Sequence, residues 1–200
     1  MNSTKDYIRT ALDIIRYDFG DLMVSNVLWV LLILPIITIP PAFAGLYYAT
    51  LQQVHYKSVT RQKFFEGFRK YLRPSYGWFI SNVLVIGILL LNINLTIQFP
   101  QVWWLQLLRG IYLVLLVVWL LLQFYTFPLL IQQEKPRLGL ALRNSAILWL
   151  KHSIFSLLLS VVIIVLIVVS IFLFPLWFVI SASLIAYLAN LGVFFLLSKE

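Results

Sequence analysis

The sequence predicts an all-α bundle of about six membrane-spanning helices, preceded by an amphipathic helix at the membrane surface. Three observations carry this prediction. Residues of the set AVILMFWYC make up 62% of the 200 residues, against roughly 45–50% apolar in an ordinary soluble domain. Charged residues make up 11%, against about 25%, too few to coat a folded body of this size in water. The apolar residues also fall in uncharged runs of about the length a bilayer requires, separated by short charged or proline-containing segments.

Residues 1–21 form the predicted surface helix, and residues 22–200 the transmembrane domain. Ile8, Leu12, Ile15 and Phe19 recur at the spacing of one helix face. Lys5, Arg9, Asp13 and Arg16 keep the opposite face wet, and Ser3 with Asp6 makes an N-terminal capping pair. Residues 22–39 are 18 residues without a charge, the lower limit for a crossing. Pro40 and Pro41 are expected to end that helix and turn the chain. The segment that follows, 42–56, is apolar but short; its length suits a short span, a re-entrant piece or a surface helix. Ala42-Phe43-Ala44 imitates a signal cleavage site, but Asp6, Asp13, Asp18 and Asp21 precede it, whereas a signal peptide starts short and positive. The segment is therefore read as part of the mature chain.

Residues 57–73 alternate Phe64, Phe65, Phe68, Tyr71 and Leu72 with Lys57, Arg61, Lys63, Arg69, Lys70 and Arg73. This is a cationic amphipathic surface suited to anionic lipid headgroups, worth about 1 kcal/mol per basic residue near the leaflet. Four clearer spans complete the chain: 77–97, 105–131, 152–173 and 176–197. Trp103 and Trp104 mark an interfacial belt, Pro175 divides the last two spans, and a basic loop carries a second amphipathic stretch around Leu138, Leu142, Ser145 and Trp149.

The charge arithmetic sets the orientation. Of 15 Lys and Arg against 7 Asp and Glu, a six-span chain gathers all the basic residues but Arg109 on one side. A five-span chain divides them far less unevenly. Basic residues accumulate in cytoplasmic loops, so the +8 net charge orients the protein and both termini are expected in the cytoplasm. Nothing in it signals nucleic acid. Helix length pulls the other way, because residues 22–56 span about 52 Å where two full crossings need roughly 60 Å. A short hairpin reconciles the two.

Chemistry is sparse. The chain has no cysteine, which removes disulfides and thiolate nucleophiles. No acid falls in a predicted span, which lowers the expectation of a proton- or sodium-coupled carrier. No hydrolase, metalloprotease or phosphate-loop motif occurs, so neither an enzyme, a metal nor a cofactor is expected. Ser153, Ser156 and Ser160, like Ala182, Ala186 and Ala189, read as small-residue faces that let helices approach. His55 and His152 flank predicted cytoplasmic ends and read as interfacial residues. The most functional-looking group is Asn92, Asn94, Gln106 and Arg109, which the short loop brings towards one another on the outer side. Amides and a guanidinium suit a polar solute; alternatively, Arg109 snorkels to headgroups.

Asn26-Val27-Leu28-Trp29, Leu34-Pro35-Ile36-Ile37-Thr38 and Pro40-Pro41-Ala42-Phe43-Ala44-Gly45-Leu46-Tyr47-Tyr48-Ala49 resemble the N-terminal signature of the YesL-like family of bacterial multi-pass membrane proteins. Phe64-Phe65-Glu66-Gly67-Phe68-Arg69-Lys70 is similar to that family's next block, and Phe127-Pro128-Leu129-Leu130 with Leu142-Arg143-Asn144-Ser145-Ala146 to a third. The family usually has Gly where this chain has Pro40. The resemblance implies a bacterial cytoplasmic membrane location and a domain of unknown function. It also implies an association with carbohydrate uptake, so that a sugar transporter subunit is an expected partner. The competing expectation is a small facilitator or carrier for a polar solute.

Overall fold

Proline, glycine and amphipathic spacing divide the chain into nine α-helices among the described residues of the computed structural model, which cover 4–55, 61–173, 175 and 177–199. They are α1 (Thr4–Tyr17), α2 (Phe19–Ile33), α3 (Ile39–Val54), α4 (Arg61–Lys70), α5 (Leu72–Ile97), α6 (Trp103–Gln132), α7 (Leu138–Lys151), α8 (Ser153–Phe172) and α9 (Ala182–Leu197). A π-helical turn, Trp177–Ser181, leads into α9. Four stretches are long and apolar enough to cross a membrane: α5, α6, α8 and the run Trp177–Leu197. Ser3 and Lys57 lie outside the described residues.

The segment read as two spans is a short helical hairpin. α2 has 15 residues and α3 has 16, about 22 and 24 Å of helix, each less than the roughly 30 Å hydrocarbon core. The expected turn at Pro40-Pro41 is corrected: the chain turns at 34–38, and both prolines occupy the first turn of α3. Proline ends a helix by lacking an N–H and clashing with the preceding turn, but neither penalty applies in a first turn. Thr38 closes the turn, its hydroxyl reaching the carbonyls of Leu32 and Pro35 and covering a C-terminal carbonyl that α2 leaves without a helical partner. The tip lies beside the beginning of α5, where the Tyr76 hydroxyl donates to the carbonyl of Ile37. From Tyr76, α5 continues 21 residues to Ile97, about 31 Å. The hairpin therefore accompanies only the first part of α5.

α3 is the centre of the molecule, with 13 of its 16 residues buried. α4 crosses it where glycine removes a side chain. A Cβ at Gly67 would lie 2.4 Å from the Cβ of Tyr48, and one at Gly45 would lie 2.7 Å from the ring of Phe64. α9 covers another face of α3 with Ala186, Ala189 and Asn190 fully buried, so the alanine stripe acts as the close-packing face expected of it. Aromatic contacts then tie the hairpin to the long helices. Trp29 meets Phe43 at 5.3 Å, Tyr47 meets Phe127 at 5.0 Å, and Trp78 meets Phe127 at 4.4 Å between ring centroids.

The predicted surface helix packs on the bundle through residues outside the stripe of Ile8 and Leu12. Its anchor is Tyr7, only 8% exposed, whose ring meets Phe155 at 5.2 Å and whose hydroxyl donates to the carbonyl of Leu188. Ile8 and Leu12, two residues of the apolar face read from the spacing, are 53% and 56% exposed. The stripe that packs against the bundle is displaced by one residue, to Tyr7 and Ala11. A buried tyrosine that finds a backbone acceptor contributes more contact area than an isoleucine.

Candidate functional site

One end of the bundle gathers most of the charged segments. Tyr71, between α4 and α5, donates its hydroxyl to the Ile131 carbonyl at 2.7 Å, joining the start of α5 to the end of α6. His55, at the end of α3, stacks edge-on against Phe194 of α9 at 5.4 Å. Tyr7 meets Phe195 at 5.7 Å, and the Lys199 ammonium sits 4.1 Å from the centroid of that same ring. The α2–α3 hairpin thus leaves this end and returns to it. Arg109, near the start of the 30-residue α6, stands towards the opposite end.

Within that end, α4 divides its side chains. Phe64 and Gly67 are buried against α3, whereas Arg61, Arg69 and Lys70, with Arg73 in the first turn of α5, are exposed. Lys63 is half-buried and pairs with Glu66 at 2.7 Å. Glu66 also accepts from Tyr48 at 2.7 Å. The Lys63 hydrogen bond, followed by that of Tyr48, holds the Glu66 carboxyl below its usual range. Lys70 lies over the rings of Tyr48 and Tyr71 at 5.7 and 5.1 Å. Phe64, with Phe68 packed beside it, seats α4 on α3 while Phe65 is exposed, and the exposed guanidinium and ammonium groups form the basic face.

The interior carries amides that the sequence reading passed over. Asn26 of α2 donates to the Trp177 carbonyl at 2.7 Å and accepts from the Ser183 N–H at 3.0 Å, holding the π-helical turn where the regular hydrogen-bond ladder is interrupted. Asn190 of α9 donates to the Tyr47 carbonyl at 2.9 Å and to Thr50 at 3.0 Å. Between α5 and α6, Trp78 donates to Gln123 at 2.9 Å, Trp119 to Asn82 at 3.0 Å, and Asn82 to Gln123 at 3.3 Å. Among the described residues two buried amides are incompletely used, besides those of the half-buried Gln132 and Gln133. Gln53, 7% exposed, has no partner for either side-chain atom, and the Oδ1 of fully buried Asn190 has none. Polar residues in apolar runs were the available signal.

Asn92 donates to the carbonyl of Ile88 in its own helix at 2.7 Å, and Gln106 donates to the Pro100 carbonyl in the connecting loop. Asn94 and Gln106 are exposed, while Asn92 and Arg109 are half-buried. Among the described residues no hydrogen bond joins any two of these four. Ser156 and Ser160 are buried, Ser156 accepting from Tyr125 at 3.1 Å and Ser160 donating to the Ser156 carbonyl at 2.7 Å. They form a packing face, as read from their spacing; Ser153 is exposed. The other ring, His152, is half-buried with its Nε2 unpartnered, whereas the Nδ1 of His55 bonds to the Leu51 carbonyl at 2.9 Å.

Residues 22–93, the hairpin with α4 and most of α5, match a family model described as "Protein of unknown function, DUF624". No curated protein and no solved structure matches the chain.

Proposed function

We propose that this protein is a non-enzymatic component of the bacterial cytoplasmic membrane that works by helix contact with another membrane protein, as an accessory of carbohydrate uptake. The observation that carries this reading is the α5–α6 arm. Of the 26 residues of α5 only Ser75 and Thr96 are buried, and in α6 burial is confined to Tyr125–Ile131. Beyond Trp78 and Gln123 the two helices pair with each other and present long apolar faces outward. The carbohydrate assignment rests on the likeness of the N-terminal blocks to YesL-like proteins, which makes the membrane subunit of a sugar importer the expected partner. In this reading the basic end faces the cytoplasm, both termini lie there, and Arg61, Lys63, Arg69, Lys70 and Arg73 meet the anionic leaflet.

Photo-crosslinkers placed at Val114 and Leu84, both more than half exposed on the arm, test the contact in intact cells. The expected product joins this chain to a sugar importer's membrane subunit, and importer activity falls when the chain is removed. Lipid-only products together with unchanged import would overturn the reading. A second reading, a small carrier for a polar solute, is favoured by the unpartnered amide of Gln53 and the unpartnered Oδ1 of Asn190. Solute uptake into proteoliposomes that Gln53→Leu abolishes would establish it instead. The hairpin's path is read by labelling an introduced cysteine at Ile36, 80% exposed at its tip, from each side of the membrane.

A further inference from the structure

A groove of about 390 Å³ runs between α1, α8 and α9, within the roughly 300–1,000 Å³ of typical small-ligand sites. Its walls include Ile8 and Leu12 of α1, Leu158, Val162 and Leu166 of α8, and Leu184 of α9. Among the described residues the one polar side chain lining it is Tyr7, whose hydroxyl is already bonded to the Leu188 carbonyl at 3.2 Å. The groove suits a hydrocarbon chain.

Its two rims have a different chemistry. On the α1 side, a concavity sharing Ile8 and Leu12 with the groove is lined by Lys5, Arg9 and Arg16, with Asp13 the single acid among the described residues. On the α8 side, a second concavity sharing Phe155 and Leu158 is lined by Lys151, His152 and Ser153. Among the described residues, Lys5, Arg9, Arg16 and Lys151 with Asp13 border an apolar slot, and that combination matches a molecule with an anionic head and an acyl tail.

We propose that this groove is a binding site for an anionic glycerophospholipid, with one acyl chain between α1, α8 and α9 and the phosphate at the rims carrying Arg9 and Lys151. A chain that leaves the bilayer for the groove exchanges one hydrocarbon surrounding for another, since lipid tails are as apolar as leucine. Burial therefore does not select the occupant, and the charge at the rims does. The exposed Ile8 and Leu12, displaced from the packed stripe of Tyr7 and Ala11, form the wall that the lipid covers. The site needs no protein partner and stands apart from the α5–α6 arm.

The test is to reconstitute the full chain in vesicles of equal parts phosphatidylglycerol and phosphatidylcholine, re-extract it in mild detergent, and quantify retained lipid by class. The expected result is retained lipid enriched severalfold in phosphatidylglycerol. Arg9→Gln with Lys151→Gln should bring the retained ratio back to that of the vesicles, because both substitutions leave the groove walls intact. Ala11→Trp, which fills the groove and spares every charge, should reduce retained lipid of both classes. Circular dichroism checks that each variant keeps its helix content. Wild-type retention at the vesicle ratio would overturn the site, as would undiminished phosphatidylglycerol enrichment in the charge variant.

Discussion

α3 and α5 are both apolar helices, yet they have opposite surroundings. α3 buries 13 of 16 residues, whereas α5 buries two of 26. Hydropathy does not separate them, because in lipid a leucine gains little by moving from hydrocarbon to a helix neighbour. Side-chain size and hydrogen bonding do. α3 carries Ala42, Ala44, Gly45 and Ala49, which let α4 and α9 approach, and its Tyr48 bonds outward to Glu66 while its Tyr47 carbonyl accepts from Asn190. The far part of α5 is built from Val, Ile and Leu, and its amide at Asn92 is turned back onto its own helix. The packed half of the molecule is specified by small and polar residues, and the exposed half by bulky aliphatic ones.

Glycine offers the sharpest way to break that contrast. Gly67→Ala puts a methyl group 2.4 Å from the Cβ of Tyr48, an atom at the root of its side chain that cannot swing away. α4 must lift from α3, at a cost of roughly 2–3 kcal/mol. Gly87→Ala, on α5, meets nothing within 4 Å and should stabilise by up to about 1 kcal/mol through helix propensity. Unfolding in detergent, followed by circular dichroism, should give shifts of opposite sign. Equal shifts would erase the distinction between the two regions.

The amides grade the comparison more finely. Asn190→Ala removes hydrogen bonds to Tyr47 and Thr50 from a fully buried position and leaves a void, so about 2 kcal/mol is expected to be lost. Asn82→Leu breaks the bonds to Trp119 and Gln123 in the half-buried network of the arm, where interhelical hydrogen bonds average nearer 0.6 kcal/mol. Hydrogen exchange should show faster opening of α3 and α9 in the first variant, and only of the α5–α6 pair in the second. An Asn82→Leu cost matching that of Asn190→Ala would mean that the arm is as tightly specified as the core.

How far the fold could be read in advance follows from the same physics. The helices α5, α6 and α8 were legible within a few residues because length and absence of charge decide them. The α2–α3 boundary was not, because Pro40 and Pro41 forbid a helix interior but favour a helix start, and residue type alone does not say which applies. Tyr7 was not singled out, since the spacing of Ile8 and Leu12 marks an apolar face but does not say which residue of α1 meets α8 and α9. The basic face was legible as charge, but Phe64 and Gly67 were spent on α3, a choice that depends on where Gly45 and Tyr48 lie in space. Asn26 and Asn190 stood in plain view in apolar runs. Their roles required knowing which carbonyls the π-helical turn and α3 would present.

The smallest expected effect concerns the junction of the two chemistries, where α4 meets α3. The Glu66 carboxyl is held below its ordinary value of 4.5, chiefly by Lys63 and then by Tyr48. A carboxyl whose pKa is lowered on folding contributes stability that is fully present above the unfolded pKa and is lost as pH falls through the folded one. α4 should therefore be seated normally at neutral pH and loosen on the acid side of the ordinary carboxylate range. The side chain is 39% exposed, so solvent screening limits the contribution to a few tenths of a kcal/mol. Glu66→Gln separates the charge from the hydrogen bond, because its amide oxygen still accepts from Tyr48. Wild type should be slightly more stable than this variant at pH 7, and the difference should vanish with acidification. A difference that persists unchanged at low pH would assign the α4 contact to Phe64 and Gly67 packing alone, with no electrostatic share.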